Sequence, residues 1–244
     1  MSNKVNDWEL PIDEKILKEK KNYNLEDLYE HAHSELSLQQ SKRDQIITIY
    51  LALCSFLVPF TLGEALIEWH LKGVIFMVIG FIGILFSLVC IRYREYKEVY
   101  WLCCQSITVL KNFKEEEINK STIQKVFYSC LHKKGKKFVE GEKIKYLGYV
   151  KKNTFSSETI HFMIISLITS FVFGIGFSMI LNLDLALKII LSVIVGITVL
   201  IILLHIFFST CVNIYKLLAV KDSNEKDKLF SKVFSKAWFL HMYY

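Results

Sequence analysis

The stretch SLVCIRYREYKEVYWLCC, residues 87–104, begins as apolar sequence and ends as charged, aromatic sequence. Neither proline nor glycine interrupts it, so a single helix can run through both halves. Beyond the charged residues, apolar side chains continue at helical spacing at Tyr96, Val99, Cys103, Ile107, Leu110 and Phe113. The stretch therefore predicts a membrane-spanning helix that continues past the membrane surface with one apolar face.

Long apolar segments recur along the 244-residue chain, although 22% of its residues are charged. Four segments contain no Lys, Arg, Asp or Glu: Gln45–Gly63, Gly73–Ile91, Thr159–Leu183 and Ile189–Tyr215. Each has roughly the 20 residues that a helix needs to cross a hydrocarbon core, where only internally hydrogen-bonded backbone is stable. The sequence predicts an all-α integral membrane protein, with four transmembrane helices arranged as two hairpins in the lipid bilayer.

The basic residues predict how these segments are oriented. The links at residues 64–72 and 184–188 hold one Lys each, and the other regions hold 28 of the 30 basic residues. Because cytoplasmic segments carry the excess of Lys and Arg, both termini and the middle region are expected in the cytoplasm. The N-terminal residues lack the apolar core of a cleaved signal peptide, so the first segment is expected to act as an anchor. We expect a multi-pass protein of the plasma membrane.

The predicted organisation has five parts. They are a cytoplasmic tail and helix at 1–44, a first transmembrane hairpin at 45–91, a basic cytoplasmic helical insert at 92–158, a second hairpin at 159–215 and a cytoplasmic tail at 216–244. Within the insert, a helix is predicted at Glu115–His132, and the segment KIKYLGYV is predicted to be a short strand or a loop.

The first hairpin is expected to extend as a two-helix stalk. Asn24 can cap a helix that runs into the first span without a breaker. Its apolar face can pack on the continuation of the second span; this face is formed by Leu25, Leu28, Ala32 and Leu36. At the membrane boundary, Arg92 and Arg94 are expected to extend towards lipid headgroups.

A stripe of small or polar residues recurs every fourth position of the third span. It consists of Ser166, Ser170, Gly174, Ser178 and Asn182. Small residues allow helices to approach closely, whereas hydroxyl groups on one stripe can line a narrow wet pore. Both readings stay open, and the fourth span adds His205, which can titrate or form a neutral hydrogen bond.

The strongest charge feature is a basic run in the insert. Its candidate ligand-binding residues are Lys133, Lys134, Lys136, Lys137, Lys143, Lys145 and Tyr146. One reading is attraction to anionic headgroups, at about 1 kcal/mol per basic residue near the surface. The other is a site for a nucleotide or an oligonucleotide, with aromatic rings available for base stacking.

Catalytic patterns are missing from the sequence. It contains no Walker loop, no GxGxxG and no Ser/His/Asp order, and its cysteines lack zinc-ligand spacing. We therefore expect neither an enzyme nor a bound metal or cofactor.

The lead-in ELSLQQSKRDQIITIYLALCSFLVPF and the exit IRYREYKEVYW are similar in style to membrane effector domains of bacterial anti-phage systems. The architecture resembles SLATT-like domains and the Hailong-type channel effector, although four spans exceed the two-span SLATT pattern. This resemblance implies a homo-oligomeric ion channel that opens in response to an oligonucleotide made by a soluble partner enzyme. The alternative is a non-conducting membrane scaffold that recruits a soluble partner through Leu25–Leu38 and Val99–Phe113.

Overall fold

A computed structural model describes residues 25–65, 67–114, 118, 120–140, 143–153 and 156–219, and these are almost entirely helical. The helices are α1 (Leu25–Gly63), α2 (Trp69–Leu110), α3 (Lys120–Gly135), α4 (Tyr146–Asn153), α5 (Ser157–Ile180), α6 (Leu185–Asn213) and the single turn α7 (Lys216–Ala219). A 3₁₀ turn at Lys136–Phe138 leads into a short antiparallel ribbon of β1 (Val139–Glu140) and β2 (Lys143–Ile144). The predicted tail before Leu25 and most of the predicted tail at 216–244 lie outside the described residues.

Four of these helices are long and apolar enough to cross a membrane, namely α1, α2, α5 and α6. The predicted all-α fold with four spanning segments is confirmed at this level, and the four helices suggest a multi-pass membrane protein. Helix α2 continues without a break through Arg92 to Leu110, as the opening stretch predicts. Its apolar face beyond Arg92 is buried at Val99, Cys103 and Ile107.

Helix α2 is the centre of the bundle, because it packs against α1 on one side and α5 on another, while α6 packs mainly on α5. Helices α1 and α2 run in opposite directions. Lys111 forms an ion pair with Glu26 at one end, and Lys72 Nζ donates to the Leu62 carbonyl at the other, over 3.1 Å. Leu28 and Ala32 are buried, so the apolar face at the start of α1 is covered.

Glycines bring the central helices into close contact. A methyl group added at Gly80 would lie 2.7 Å from Phe173 Cβ, and one at Gly73 would lie 3.0 Å from the Gly176 carbonyl oxygen. Such spacing is possible only where at least one helix carries no side chain at the contact. The α2–α5 contact therefore depends on the glycines of α2.

The smaller elements form what we call the end layer, residues 120–140, 143–153 and 216–219. Its core is a group of aromatic rings: the centroid of Phe138 lies 5.0 Å from that of Tyr149 and 5.4 Å from that of Tyr215. Helix α3 ends at Gly135, where a side chain would meet the Tyr215 ring and Leu218. The end layer is thereby joined to the C-terminal end of α6.

The structure differs from the sequence prediction at several boundaries. Helix α5 ends at Ile180 rather than Leu183, and α6 begins at Leu185 rather than Ile189. The predicted ends were placed at the first charged residue, but the backbone conformation decides where a helix begins. Asp184 is extended and forms the N-cap of α6, so the helix starts at the next residue.

The insert also differs from its prediction. Helix α3 is described from Lys120, whereas residues 115–117 and 119 of the predicted helix lie outside the described residues. In KIKYLGYV only Lys143–Ile144 is strand, and the remainder starts α4. The helix forms because its turn carries Tyr149 into the aromatic core of the end layer.

Candidate functional sites: a hydroxyl seam and an ion cluster

The predicted polar stripe lies mainly inside the bundle. Ser166, Ser170, Gly174 and Ser178 are buried, and the Ser178 hydroxyl donates to the Ile175 carbonyl over 2.9 Å. A side chain at Gly174 would strike the Ser192 carbonyl oxygen and approach the Gly196 nitrogen at 3.1 Å. In this conformation Gly174 of α5 therefore packs directly against the backbone of α6.

Two members of the predicted stripe set lie outside this contact. Asn182 follows the end of α5 and is exposed. His205 is exposed on α6, where its Nε2 lies 3.5 Å from Ser209 Oγ and its ring centroid lies 6.3 Å from that of Tyr146. Neither residue lies beside the buried part of the stripe.

Buried hydroxyl groups lie on α1, α2 and α5, and those of Tyr50 and Thr169 lie together beside Gly83. We call five of these groups the hydroxyl seam: Tyr50, Ser87, Ser166, Thr169 and Ser170. Among the residues that the structure describes, the three serine hydroxyls have no hydrogen-bond partner, whereas Tyr50 and Thr169 lie close enough to interact with each other. All five side chains are buried. An unpaired buried hydroxyl costs about 1–3 kcal/mol, and in proteins such groups are commonly satisfied by internal water.

Gly83 makes room for the hydroxyl seam. A side chain at this position would overlap the hydroxyl groups of both Tyr50 and Thr169. The Tyr50 ring is further held by an edge contact with Phe86, with centroids 6.0 Å apart. The seam therefore depends on residues from three helices that the sequence places far apart.

Charged residues from three helices meet at one end of the spanning segments, in what we call the ion cluster: Arg43, Arg94, Lys97 and Glu158. The Glu158 carboxylate lies 3.3 Å from Arg43 Nη1 and 3.5 Å from Arg94 Nη1, and it also pairs with Lys97. Thr159 accepts a long hydrogen bond from Arg94 Nη1 at 3.4 Å. One carboxylate thus meets three cations.

The predicted position of Arg94 is wrong. Its side chain is only 4% exposed and lies against the Phe207 ring, 4.6 Å from guanidinium carbon to centroid. Arg92 is exposed, and its extension towards lipid headgroups stays a prediction. Residues two apart point to different sides of a helix, so the turn that leaves Arg92 outside directs Arg94 inwards.

The predicted basic run does not converge on one site. Lys134 pairs with Glu98 and lies over the Trp101 ring at 3.8 Å, so it joins α3 to α2. Four lysines are exposed, at Lys133, Lys136, Lys137 and Lys145. Tyr146 is half-buried, and the side chain of Lys143 lies outside what the structure describes.

One pair of lysines does come together. Lys137 and Lys152 both lie near the Phe138 ring, at 5.1 Å and 5.9 Å from its centroid. The hydrogen bond and charge of Lys152 lower the pKa of Lys137. Crowded ammonium groups beside an aromatic ring provide charge and an apolar face for an anion.

Sequence reasoning missed the ion cluster and the contribution of Tyr50 of α1 to the seam, although Gly83 and Ser87 of the second span belong to a set of small residues that indicates tight bundling. A usable signal existed, because Arg43, Arg94 and Glu158 each lie within three residues of a charge-free segment. Segments that cross the same layer bring such flanking residues to one level. The partners of Tyr50 and Ser87 had no such signal, because single hydroxyl residues are common in apolar helices.

No family model matches this chain, and no curated sequence or solved structure matches it significantly. The functional argument consequently rests on the geometry of the hydroxyl seam, the ion cluster and the end layer.

Proposed function

We propose that this protein is a homo-oligomeric membrane channel, or a membrane-disrupting effector, gated by its cytoplasmic helices. In this proposal α1 with α2 and α5 with α6 form two transmembrane hairpins in the bacterial inner membrane, with both termini in the cytoplasm. The ends of α1 and α2 then project inwards and carry the end layer. The trigger is a nucleotide or an oligonucleotide supplied by a soluble partner enzyme in anti-phage defence.

The hydroxyl seam is the observation that carries this proposal. Its five hydroxyl groups lie within apolar segments and are buried, and those of Ser87, Ser166 and Ser170 have no hydrogen-bond partner among the described residues. A permanently dry bundle gains nothing from such groups, because apolar side chains of similar size avoid the desolvation cost. Groups that become hydrated when helices separate stabilise an open state, which favours a channel.

The continuous helices support gating from the cytoplasm. Helix α2 is a single element from Trp69 to Leu110, and the end layer is joined to it by Lys134. A displacement of the end layer is therefore passed to the membrane segment instead of being absorbed by a flexible joint. The Lys137–Lys152 pair supplies a place for the phosphates of a nucleotide.

The outer face of α6 supports membrane insertion and leaves a surface for assembly. Its exposed apolar residues include Leu187, Ile189, Ile190, Val193, Ile194, Ile197, Ile201 and Ile202. Acyl chains, or a second copy of the chain, are suitable neighbours for a face of this composition.

Ion flux measured with purified protein in liposomes tests the proposal. We expect flux from the wild-type protein, increased by an oligonucleotide ligand, and loss of flux in Gly174→Leu, because Leu separates α5 from α6. Gly148→Leu is the matched control, since the nearest atom to an added side chain there is Lys145 Cβ at 3.7 Å. Silent liposomes across a panel of nucleotides and oligonucleotides would contradict the channel.

The alternative is the non-conducting scaffold. Its predicted docking faces are partly used within the chain, because Leu28, Ala32 and Val99 are buried. Leu38 and Phe113 remain 41% and 39% exposed and can still contact a partner. A pull-down that yields one dominant partner, together with an unchanged membrane potential on expression, would favour the scaffold.

A further inference from the structure

The ion cluster has more positive charge than its own carboxylate can neutralise. Arg43, Arg94 and Lys97 all approach Glu158, and their side chains are 12%, 4% and 24% exposed. Asp44 offsets part of the Arg43 charge from the exposed side, at 2.6 Å from Arg43 Nη2. The negative charge of Glu98 also acts on Arg94 and Lys97, but Glu98 is itself paired with Lys134. Low exposure strengthens the repulsion between the cations, because water screens them poorly.

One donor in the cluster is left unused. Arg94 Nε is buried and has no hydrogen-bond partner in the part of the chain that the structure describes. Arg94, Arg43 and Glu158 line a cavity of about 10 Å³, large enough for about one water molecule. The cluster thus combines surplus charge, a buried donor without a partner among the described residues, and a small cavity.

The state of Lys97 is consistent with this surplus. Burial and, after it, the charge of Arg43 lower the pKa of Lys97. An additional anion would relieve the repulsion between these two groups.

We propose that Arg43, Arg94 and Lys97 form a binding site for a phosphate group, and that Glu158 occupies this site in the present conformation. A phosphate offers more charge and more acceptor oxygens than a carboxylate. The planar guanidinium group of arginine can donate two parallel hydrogen bonds to a carboxylate or to a phosphate. Lys97 and Arg43 form the more exposed side through which a phosphate enters. The site is distinct from the Lys137–Lys152 pair, and binding to it does not depend on conduction.

Displacement of Glu158 has a structural consequence. Glu158 lies in the first turn of α5, and its carboxylate is the contact that joins this turn to Arg43 of α1 and Lys97 of α2. A phosphate that replaces the carboxylate takes over the cations and loosens the start of α5, which the hydrogen bond from Arg94 to Thr159 still holds.

Two sources can provide the phosphate, the headgroup of an anionic lipid or a free phosphate ester. Full-length protein in lipid-free detergent is therefore offered phosphatidylglycerol in one arm, followed by native mass spectrometry. Inorganic pyrophosphate is offered in the other arm, followed by calorimetry. Binding in the first arm identifies a lipid headgroup, binding in the second identifies a free phosphate, and binding in both supports the same site.

We expect Lys97→Gln and Arg43→Gln each to weaken phosphate binding about fivefold, the effect of about 1 kcal/mol per basic residue. Glu158→Gln should strengthen it by a similar factor, because the competing charge is removed while the shape is retained. Lys111→Gln is the control; this lysine also pairs with a single carboxylate, that of Glu26, outside the ion cluster.

Absence of binding in both arms would overturn the proposal, as would equal affinities for the wild type, Lys97→Gln and Arg43→Gln. Equal binding by folded Glu158→Gln and the wild type would overturn the role of Glu158 as an internal competitor. Circular dichroism melting verifies that each variant is folded. If Glu158→Gln fails to fold, the phosphate affinity of Lys97→Gln, whose altered residue is partly exposed, is sufficient to test the site.

Discussion

At the level of single residues, Gly83 has the most sharply defined role. It lies on α2 opposite the hydroxyl groups of Tyr50 and Thr169, and both would overlap an added methyl group. The Tyr50 side chain is fully buried, so it has little room to move.

Gly83→Ala should therefore lower the free energy of unfolding by about 1–3 kcal/mol, the usual cost of overpacking. Thermal unfolding in detergent, followed by circular dichroism, measures this change. Gly63→Ala is the control, because an added methyl group there meets no atom within 4 Å. A melting temperature for Gly83→Ala equal to that of the control would show that the seam is loosely packed.

The Lys137–Lys152 pair gives a prediction about pKa. Lys152 lowers the pKa of Lys137 because its hydrogen bond and positive charge disfavour a second ammonium group beside it. Lys152→Gln should therefore raise the pKa of Lys137 towards the ordinary lysine value. NMR titration of ¹³C-methylated lysines, with Lys137→Arg to assign the signal, measures it. Lys133→Gln, on the neighbouring helix, is the control and should leave the pKa of Lys137 unchanged. An unchanged pKa of Lys137 in Lys152→Gln would mean that the Lys137 and Lys152 ammonium groups are apart in solution.

At the level of elements, the α5–α6 contact depends on two glycines facing each other. Gly174 lies against the backbone around Ser192 and Gly196, and a side chain at Gly196 would in turn approach the Ser170 carbonyl oxygen at 3.0 Å. Backbone atoms cannot turn aside as a flexible side chain can, so the helices must separate when either glycine is enlarged.

Gly174→Ala should destabilise the protein by about 1–3 kcal/mol, despite the better helix propensity of alanine. Gly148→Ala, in the exposed turn of α4, should be neutral or stabilise the protein by up to about 1 kcal/mol. Comparison of the two melting curves measures the difference. Equal melting temperatures for Gly174→Ala and Gly148→Ala would show that α5 and α6 are not in close contact at Gly174.

At the level of the whole molecule, α2 is the element shared by the membrane bundle, the ion cluster and the end layer. It carries Gly83 for the seam, Arg94 and Lys97 for the cluster, and Glu98 and Trp101 for the contact with Lys134. Its continuity therefore determines whether these three regions can influence one another.

Arg92→Pro tests this continuity at an exposed position. Proline removes one helical hydrogen bond and should cost about 3 kcal/mol while it kinks α2 between the seam and the cluster. In liposomes we expect Arg92→Pro to lose ligand-dependent flux, and Arg92→Ala, which removes the same side chain but retains the helix, to keep it. Ligand-dependent flux in Arg92→Pro equal to the wild type would rule out transmission along α2.

The sequence by itself determined the four apolar helices and the uninterrupted course of α2. Both follow from local properties, because hydropathy over about 20 residues and the absence of a breaker act within one segment. The small residues in the third span left two readings open, close helix packing and a wet pore. Helix ends at Ile180 and Leu185 were less well predicted, since caps depend on backbone geometry that hydropathy does not report.

Only the tertiary structure decided which polar groups meet. Arg43, Arg94 and Glu158 are separated by more than 50 residues from one another, and Tyr50, Gly83 and Thr169 come from three different helices. Their contacts depend on the rotation of each helix about its axis, and a turn of 100° per residue moves a side chain from lipid to interior. That rotation is set by the packing of all neighbours at once, so no single segment of sequence contains it.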